Sequence, residues 1–273
     1  MKIKSFFDKQ KRGKLFSAVI KDITHVLSPP VETVPVFLFG KQRSGTTMLM
    51  YIFHLHPDTK VHEESSNSKA YSDYRIRSLE RLEKMIQASK FSHTCFQPLA
   101  DSHLIKKFID RFPKGRFIWI YRGYQDVANS HLKRFAHATR AIKIVCNNQT
   151  GGGWFQEGVS KGSAKILREI HASYQLGEYD YACLAWWTRN RIFIEKKLKG
   201  SPNLIPLRYE DIVTEPDRTL SALFEFVGLR NSKCVYKYVH QRSIKKNAYP
   251  SLVPIVRELC EDLQTELNKA LPY

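Results

Sequence analysis

No run of roughly 18 apolar residues occurs anywhere in the chain, which excludes a conventional membrane-spanning helix. Cysteine is sparse: the five, at positions 95, 146, 183, 234 and 260, form no C-x-x-C pair and no metal-ligand spacing. That argues against a disulfide framework and for reduced thiols, as in a cytosolic protein. The ten histidines include His54 and His56, but no carboxylate or cysteine cluster completes a zinc site around them. Internal repeats and low-complexity blocks are absent. Acidic residues are the minority, 26 against 44 basic ones, for a formal net charge of +18. An anionic partner is implied: a polyanionic cofactor, an acidic acceptor, nucleic acid or a membrane surface.

What is present is enough for one sizeable α/β domain: 273 residues, 42% of them hydrophobic. The basic leader, residues 1–34, lacks the continuous apolar stretch of a signal peptide. Its apolar residues share a helical face that suits either an anionic membrane surface or, more ordinarily, packing on its own domain. A cytoplasmic protein is expected, with peripheral contact at the inner membrane surface as the further expectation from this leader. The proline-marked segment SPPVETVP leads out of it. VFLFG, residues 36–40, reads as a strand buried on both faces, and TTMLMYIFHLHP as the helix after it. Further helices are expected over residues 75–87, 103–113, 125–135, 181–198 and 216–226. Further core strands are expected at 116–122 and 203–209. Residues 141–175, with three consecutive glycines and little periodicity, read as a long loop or insertion over the site. Alternating strands and helices predict a parallel sheet covered on both faces.

The informative gap lies in GKQRSGTT, residues 40–47. A Walker loop has Gly, four residues, Gly, Lys, then Ser or Thr. Gly40 and Gly45 are in place, and Thr47 takes the final hydroxyl, but Thr46 stands where the lysine belongs. A tight glycine turn entering a helix still aims backbone N–H groups and the helix dipole at one spot. Without the lysine the reach to a triphosphate is lost. Arg43 instead puts a forked cation on the lip of the loop, which suits a compact phosphate or a phosphosulfate.

FLFGKQRSGTTMLMYIFHLHP resembles the phosphosulfate-binding loop of the PAPS-dependent sulfotransferases, PAPS being 3′-phosphoadenosine 5′-phosphosulfate. FIWIYRGYQDVANSHLKRF resembles the same family's 3′-phosphate site, an arginine at a strand end followed by a serine in the next helix; here these are Arg122 and Ser130. LIPLRYEDIVTEPDRTLSALFEFVGL is similar to a third family segment, in which Tyr209 matches a cofactor-contacting tyrosine. The three segments occur in the family's order. The resemblance implies a three-layer, P-loop-NTPase-like fold with a central parallel sheet over residues 35–273, and sulfuryl transfer from PAPS to a hydroxyl or amine. It implies that Arg43, Ser44, Gly45, Thr46 and Thr47 hold the phosphosulfate, and that Arg122, Ser130 and Tyr209 hold the nucleotide. No metal is expected, since arginines and backbone dipoles take its place.

The base departs from the commonest family pattern. Many members place a histidine, others a lysine, where this chain has Phe96 in CFQPL; His93 is out of register. Protein-tyrosine sulfotransferases carry H-P-x-x-x-x-G-E-E after the loop helix, the second glutamate being the base. HPDTKVHEES puts Glu63 and Glu64 at that spacing, so the resemblance implies Glu64 as general base, with Glu63 and His62 as understudies. Charge at the leaving oxygen falls to Arg43 and Lys41. Ser243 and Lys245 are further candidates for the 3′-phosphate, and the Trp186–Trp187 pair is either core or site lining. The acceptor is expected to be a small molecule, glycan or lipid, anionic or not, and not nucleic acid. Its pocket is expected from residues 62–75 and 136–180. Two other readings stand beside this one: a small-molecule kinase using Glu210 or Asp211 for metal, and a non-catalytic basic protein binding nucleic acid or membrane.

Overall fold

In the computed structural model, residues 32–135, 137–232, 239 and 248–272 are described. Residues 1–31 of the basic leader and the candidates Ser243 and Lys245 lie outside them.

Strand β1 (Val34–Gly40) is buried along its whole apolar run. Its alternating side chains go to two different cores, as the period of two in a strand requires. Phe37 and Phe39 join one hydrophobic cluster with Phe96, Phe117, Trp119 and Tyr121. Val36 and Leu38 join the other with Cys95, Ile118 and Ile120. A strand covered on both faces in this way must sit inside a parallel sheet. Strands β2 (Thr59–His62), β5 (His93–Phe96), β6 (Arg116–Tyr121) and β7 (Leu204–Arg208) complete it in the order β2-β5-β1-β6-β7, every pairing parallel. A small antiparallel hairpin, β3 (Tyr71–Ser72) with β4 (Arg75–Ile76), stands apart.

Helices cover both faces. Helix α1 (Thr46–Leu55) packs on the Val36–Leu38 side. Helices α2 (Leu79–Gln87), α3 (Ile105–Arg111) and α4 (Tyr124–Arg134) belong to the Phe37–Phe39 side. So do α5 (Arg140–Cys146), α6 (Gly153–Glu157), α7 (Lys161–Ser173) and α8 (Glu178–Glu195). Helices α9 (Tyr209–Thr214) and α10 (Pro216–Val227) return to the α1 side, and α11 (Pro254–Asn268) closes the α8 side. The result is the three-layer, P-loop-NTPase-like arrangement.

Several elements differ from expectation. The helix expected over residues 75–87 begins only at Leu79, because Ser78 caps it by accepting from Arg81 N–H; Arg75 and Ile76 are drawn into the hairpin instead. The span 141–175 is not a loop but three helices, whose apolar residues Ile142, Phe155, Leu167 and Ile170 are buried against α8 and its neighbours. Strands β2 and β5 were not expected: TKVH and HTCF are short and mixed in polarity, and pairing with each other and with β1 makes them strands.

Candidate active site

All five strands of the sheet deliver residues from their carboxyl ends to one cleft of about 1100 Å³. This is where ligands bind in open parallel sheets. β1 delivers Lys41, Gln42, Arg43, Gly45, Thr46 and Thr47, β2 delivers Glu63 and Glu64, and β5 delivers Gln97, Leu99 and Ala100. β6 delivers Arg122, with Ser130 on the following helix, and β7 delivers Tyr209. Arg43, Gly45, Thr46, Thr47, Glu64, Arg122, Ser130 and Tyr209, singled out from the sequence, all line the wall; Ser44 does not and is buried.

The loop has the geometry its glycines imply. Gly45 caps α1 in the left-handed region, φ 90°, and a Cβ there would stand 2.2 Å from the Tyr209 ring. Only glycine meets both demands. Arg43, not a glycine, is also held at positive φ, 74°, a strain typical of ligand loops. The amino end of α1 has no side-chain cap and no acidic residue in its first turn, so its partial positive charge is left for a ligand. Ser44 Oγ is buried with no hydrogen-bond partner among the described residues.

Around this cradle gather three arginines. Arg43 Nε donates to Ser130 Oγ at 2.9 Å. The Arg43 guanidinium is pushed down from its ordinary value by partial burial and by the charges of Arg134 and Arg122. Arg122 lies with its guanidinium carbon 4.6 Å from the Tyr209 ring centroid and donates from Nη2 to Asp126 at 2.9 Å. Tyr249 Oη donates to the other oxygen of Asp126 at 3.0 Å. Trp186 is core, and its indole N–H donates to the Arg122 carbonyl at 2.8 Å; Trp187 is likewise buried. Like charges so close are a site for an anion.

The two adjacent glutamates part company. Glu63 is exposed, whereas Glu64 is half-buried and accepts a hydrogen bond from Ala100 N–H at 3.1 Å. Burial pushes the Glu64 carboxyl up to about 7, against the opposing pull of that N–H and of Arg189. Lys41, 2% exposed, is brought down to about 7, by burial first and by Arg189 second. His62 stacks on Phe96, ring centroids 5.1 Å apart, and burial lowers it to about 4. It does not line the cleft, so it is a poor substitute for Glu64. Phe96 is fully buried, and His93 bonds the Val227 carbonyl at 2.8 Å.

The cleft also has an apolar part to its wall: Tyr74, Leu99, Phe135, Ile142, Trp154 and Phe155. Tyr74 comes from the first of the two segments expected to form the acceptor pocket, and Ile142, Trp154 and Phe155 from the second; Leu99 and Phe135 lie outside both. Arg189, which no sequence pattern marks, sits behind Trp154 and Phe155. Of the carboxylates a kinase would need for metal, Glu210 accepts from Gly123 N–H at 3.0 Å and Asp211 from Arg208 Nε at 2.9 Å, each through one oxygen, the other being buried without a hydrogen-bond partner among the described residues. Among the described residues no cluster of His, Cys, Asp and Glu suits a metal ion, and no helix is long and apolar enough to cross a membrane.

Comparison with known proteins agrees with the geometry. The sulfotransferase domain from the curacin biosynthetic pathway superimposes with a TM-score of 0.52 at 12% identity, over 85% of this chain and 98% of that one. The sulfotransferase domain of the Synechococcus PCC 7002 olefin synthase gives 0.50 at 13% identity, over 87% and 98%. At such identity the likeness is one of fold. No curated protein matches the sequence. The sequence model of the sulfotransferase domain matches residues 34–249, most of the chain, and sets the kinase and binding-protein readings aside: the protein belongs to the sulfotransferase family and is an enzyme of sulfuryl transfer.

Proposed function

We propose that the sulfuryl donor is PAPS and that Glu64 is the general base which activates an acceptor hydroxyl. The observation that carries this reading is the convergence, in one cleft, of the lysine-less loop, the Arg43–Ser130 and Arg122–Tyr209 pairs, and a carboxyl raised to about 7. The site fits such a donor. The unpartnered Ser44 hydroxyl and the uncapped end of α1 suit one anionic group, and Arg122 with Ser130 suits a second. PAPS brings the sulfuryl group and departs as 3′,5′-ADP.

Glu64 takes the acceptor's proton as the new O–S bond forms. A base with a pKa near the working pH is the efficient choice. Arg43 and Lys41 neutralise the oxygen left behind when the old S–O bond breaks, a part no metal is assigned here. The aromatic lining of the cleft, Tyr74, Phe135, Trp154 and Phe155, favours an acceptor with an apolar body, such as a naphthol or a lipid alcohol. Contact of the basic leader with a membrane surface would suit a lipid acceptor, and belongs to this reading alone.

The test is calorimetric titration with 3′,5′-ADP, beside ATP with magnesium, on the native protein and on Arg122→Ala. Native protein is expected to prefer 3′,5′-ADP, and the variant to bind it about tenfold to a hundredfold more weakly. A preference for ATP with magnesium would falsify the assignment.

A further inference from the structure

Arg189 takes no part in the scheme above, yet it lies against it. It sits on α8 one turn beyond Ala185, which lines the cleft. Its side chain is 2% exposed, and neither Nη1 nor Nη2 meets a hydrogen-bond partner among the described residues. What holds it is aromatic: its guanidinium carbon is 4.7 Å from the Trp154 ring centroid and 5.9 Å from that of Phe155. Gly158 makes room for the clamp, since a Cβ there would lie 3.3 Å from Arg189 Nη1 and 3.2 Å from His103.

A buried cation without bonded partners does not stabilise a fold. Replacing such a group by an apolar one of similar volume is commonly neutral or stabilising. The role therefore lies in its field. Four ionisable groups are within its reach: Glu64, Asp101, Lys41 and His103. Asp101 already accepts from Arg75 Nε at 2.8 Å and from Ile76 N–H at 2.7 Å, while Glu157 takes the Arg75 Nη1. Glu64 has the Ala100 N–H and, among the described residues, no ion pair. Of the carboxylates nearby, it is the one that depends on a distant charge.

We propose that Arg189 is a positioning residue of the transfer reaction: clamped behind the Trp154–Phe155 wall, its charge keeps Glu64 a carboxylate inside the cleft without touching donor or acceptor. The inference rests on Glu64 being the base. The same charge repels Lys41, helping burial bring that ammonium down to about 7. Removing it raises both groups, so both limbs of the pH–rate profile move the same way.

The experiment compares native protein with Arg189→Met and Arg189→Lys. The primary readout needs no acceptor: the pH titration of the Glu64 carboxyl by carbon NMR, assigned from the signal missing in Glu64→Gln. The second is the pH profile of naphthol sulfation from PAPS, and the third the thermal midpoint. Arg189→Met is expected to melt no lower than native protein, to bind 3′,5′-ADP, and to titrate Glu64 about one pH unit higher. Its rate profile moves alkaline with it, and Arg189→Lys restores both. Should Arg189→Met fail to fold, Arg189→Gln carries the same comparison. An unmoved Glu64 titration in a folded neutral variant overturns the inference, as do Met and Lys variants that behave alike. Failure of the base is separable: if Glu64→Gln keeps turning over while the titration still moves, Glu64 is not the base and the field of Arg189 stands.

Discussion

Glu63 and Glu64 are identical in chemistry and adjacent in sequence, and differ because one faces water and the other a dehydrated wall. Desolvation disfavours the charged carboxylate, and it brings Glu64 up to about 7. Glu64→Gln is therefore expected to lower kcat for naphthol sulfation by about 10²- to 10⁴-fold, with 3′,5′-ADP binding by calorimetry unchanged. The pH dependence follows with its sign. As the proposed base Glu64 would act as the carboxylate, so the rate is expected to fall as pH drops below about 7. In the proposed scheme Lys41 would act as the ammonium, so the rate is expected to fall again as pH rises past about 7. A narrow optimum near neutrality is expected in the kcat/KM profile, and a plateau to pH 9 would remove Lys41 from the scheme. At this scale the sequence marked Arg43, Arg122, Ser130, Tyr209 and the Glu pair, because each sits in a short motif whose spacing is local. It did not mark Arg189, whose importance comes from neighbours far away in the chain.

Among the elements, those with a strong local signal were legible. β1 and β6 are continuous apolar runs, and α1 starts at a glycine turn and ends just before a proline. Of the three helices within 141–175, α5 and α6 are only seven and five residues long and leave little periodic signal, whereas α7, thirteen residues and amphipathic, was passed over within the glycine-marked span. Helix α7 nonetheless carries a cap: Ser160 Oγ accepts from Ser163 N–H at 3.0 Å and donates to Glu195 at 2.7 Å. Ser160→Ala is expected to lower stability by about 1 kcal/mol in chemical denaturation. Because α7 contributes nothing to the cleft wall, 3′,5′-ADP affinity should stay where it was. A loss of binding would mean that the helical insertion and the cleft are more tightly coupled than their contacts imply.

For the whole molecule, the sheet is what brings five distant segments to one edge. Phe37 stands at its centre, with ring centroids 5.1 to 5.5 Å from Phe96, Phe108, Phe112 and Phe117. Phe37→Ala is expected to destabilise the protein by about 3–5 kcal/mol in denaturant unfolding, and to weaken 3′,5′-ADP binding only insofar as the protein unfolds. The order of residues was sufficient to announce a glycine turn entering a helix, the strand ends beside it and a parallel α/β sheet, because turn chemistry and apolar periodicity act between near neighbours. Which glutamate is dehydrated, which lysine is half-discharged, and which arginine is clamped behind the wall depend on burial and on charges brought together from β1, β2, the segment after β5, and α8. Those are properties of contacts between remote parts of the chain, and they exist only once it has folded.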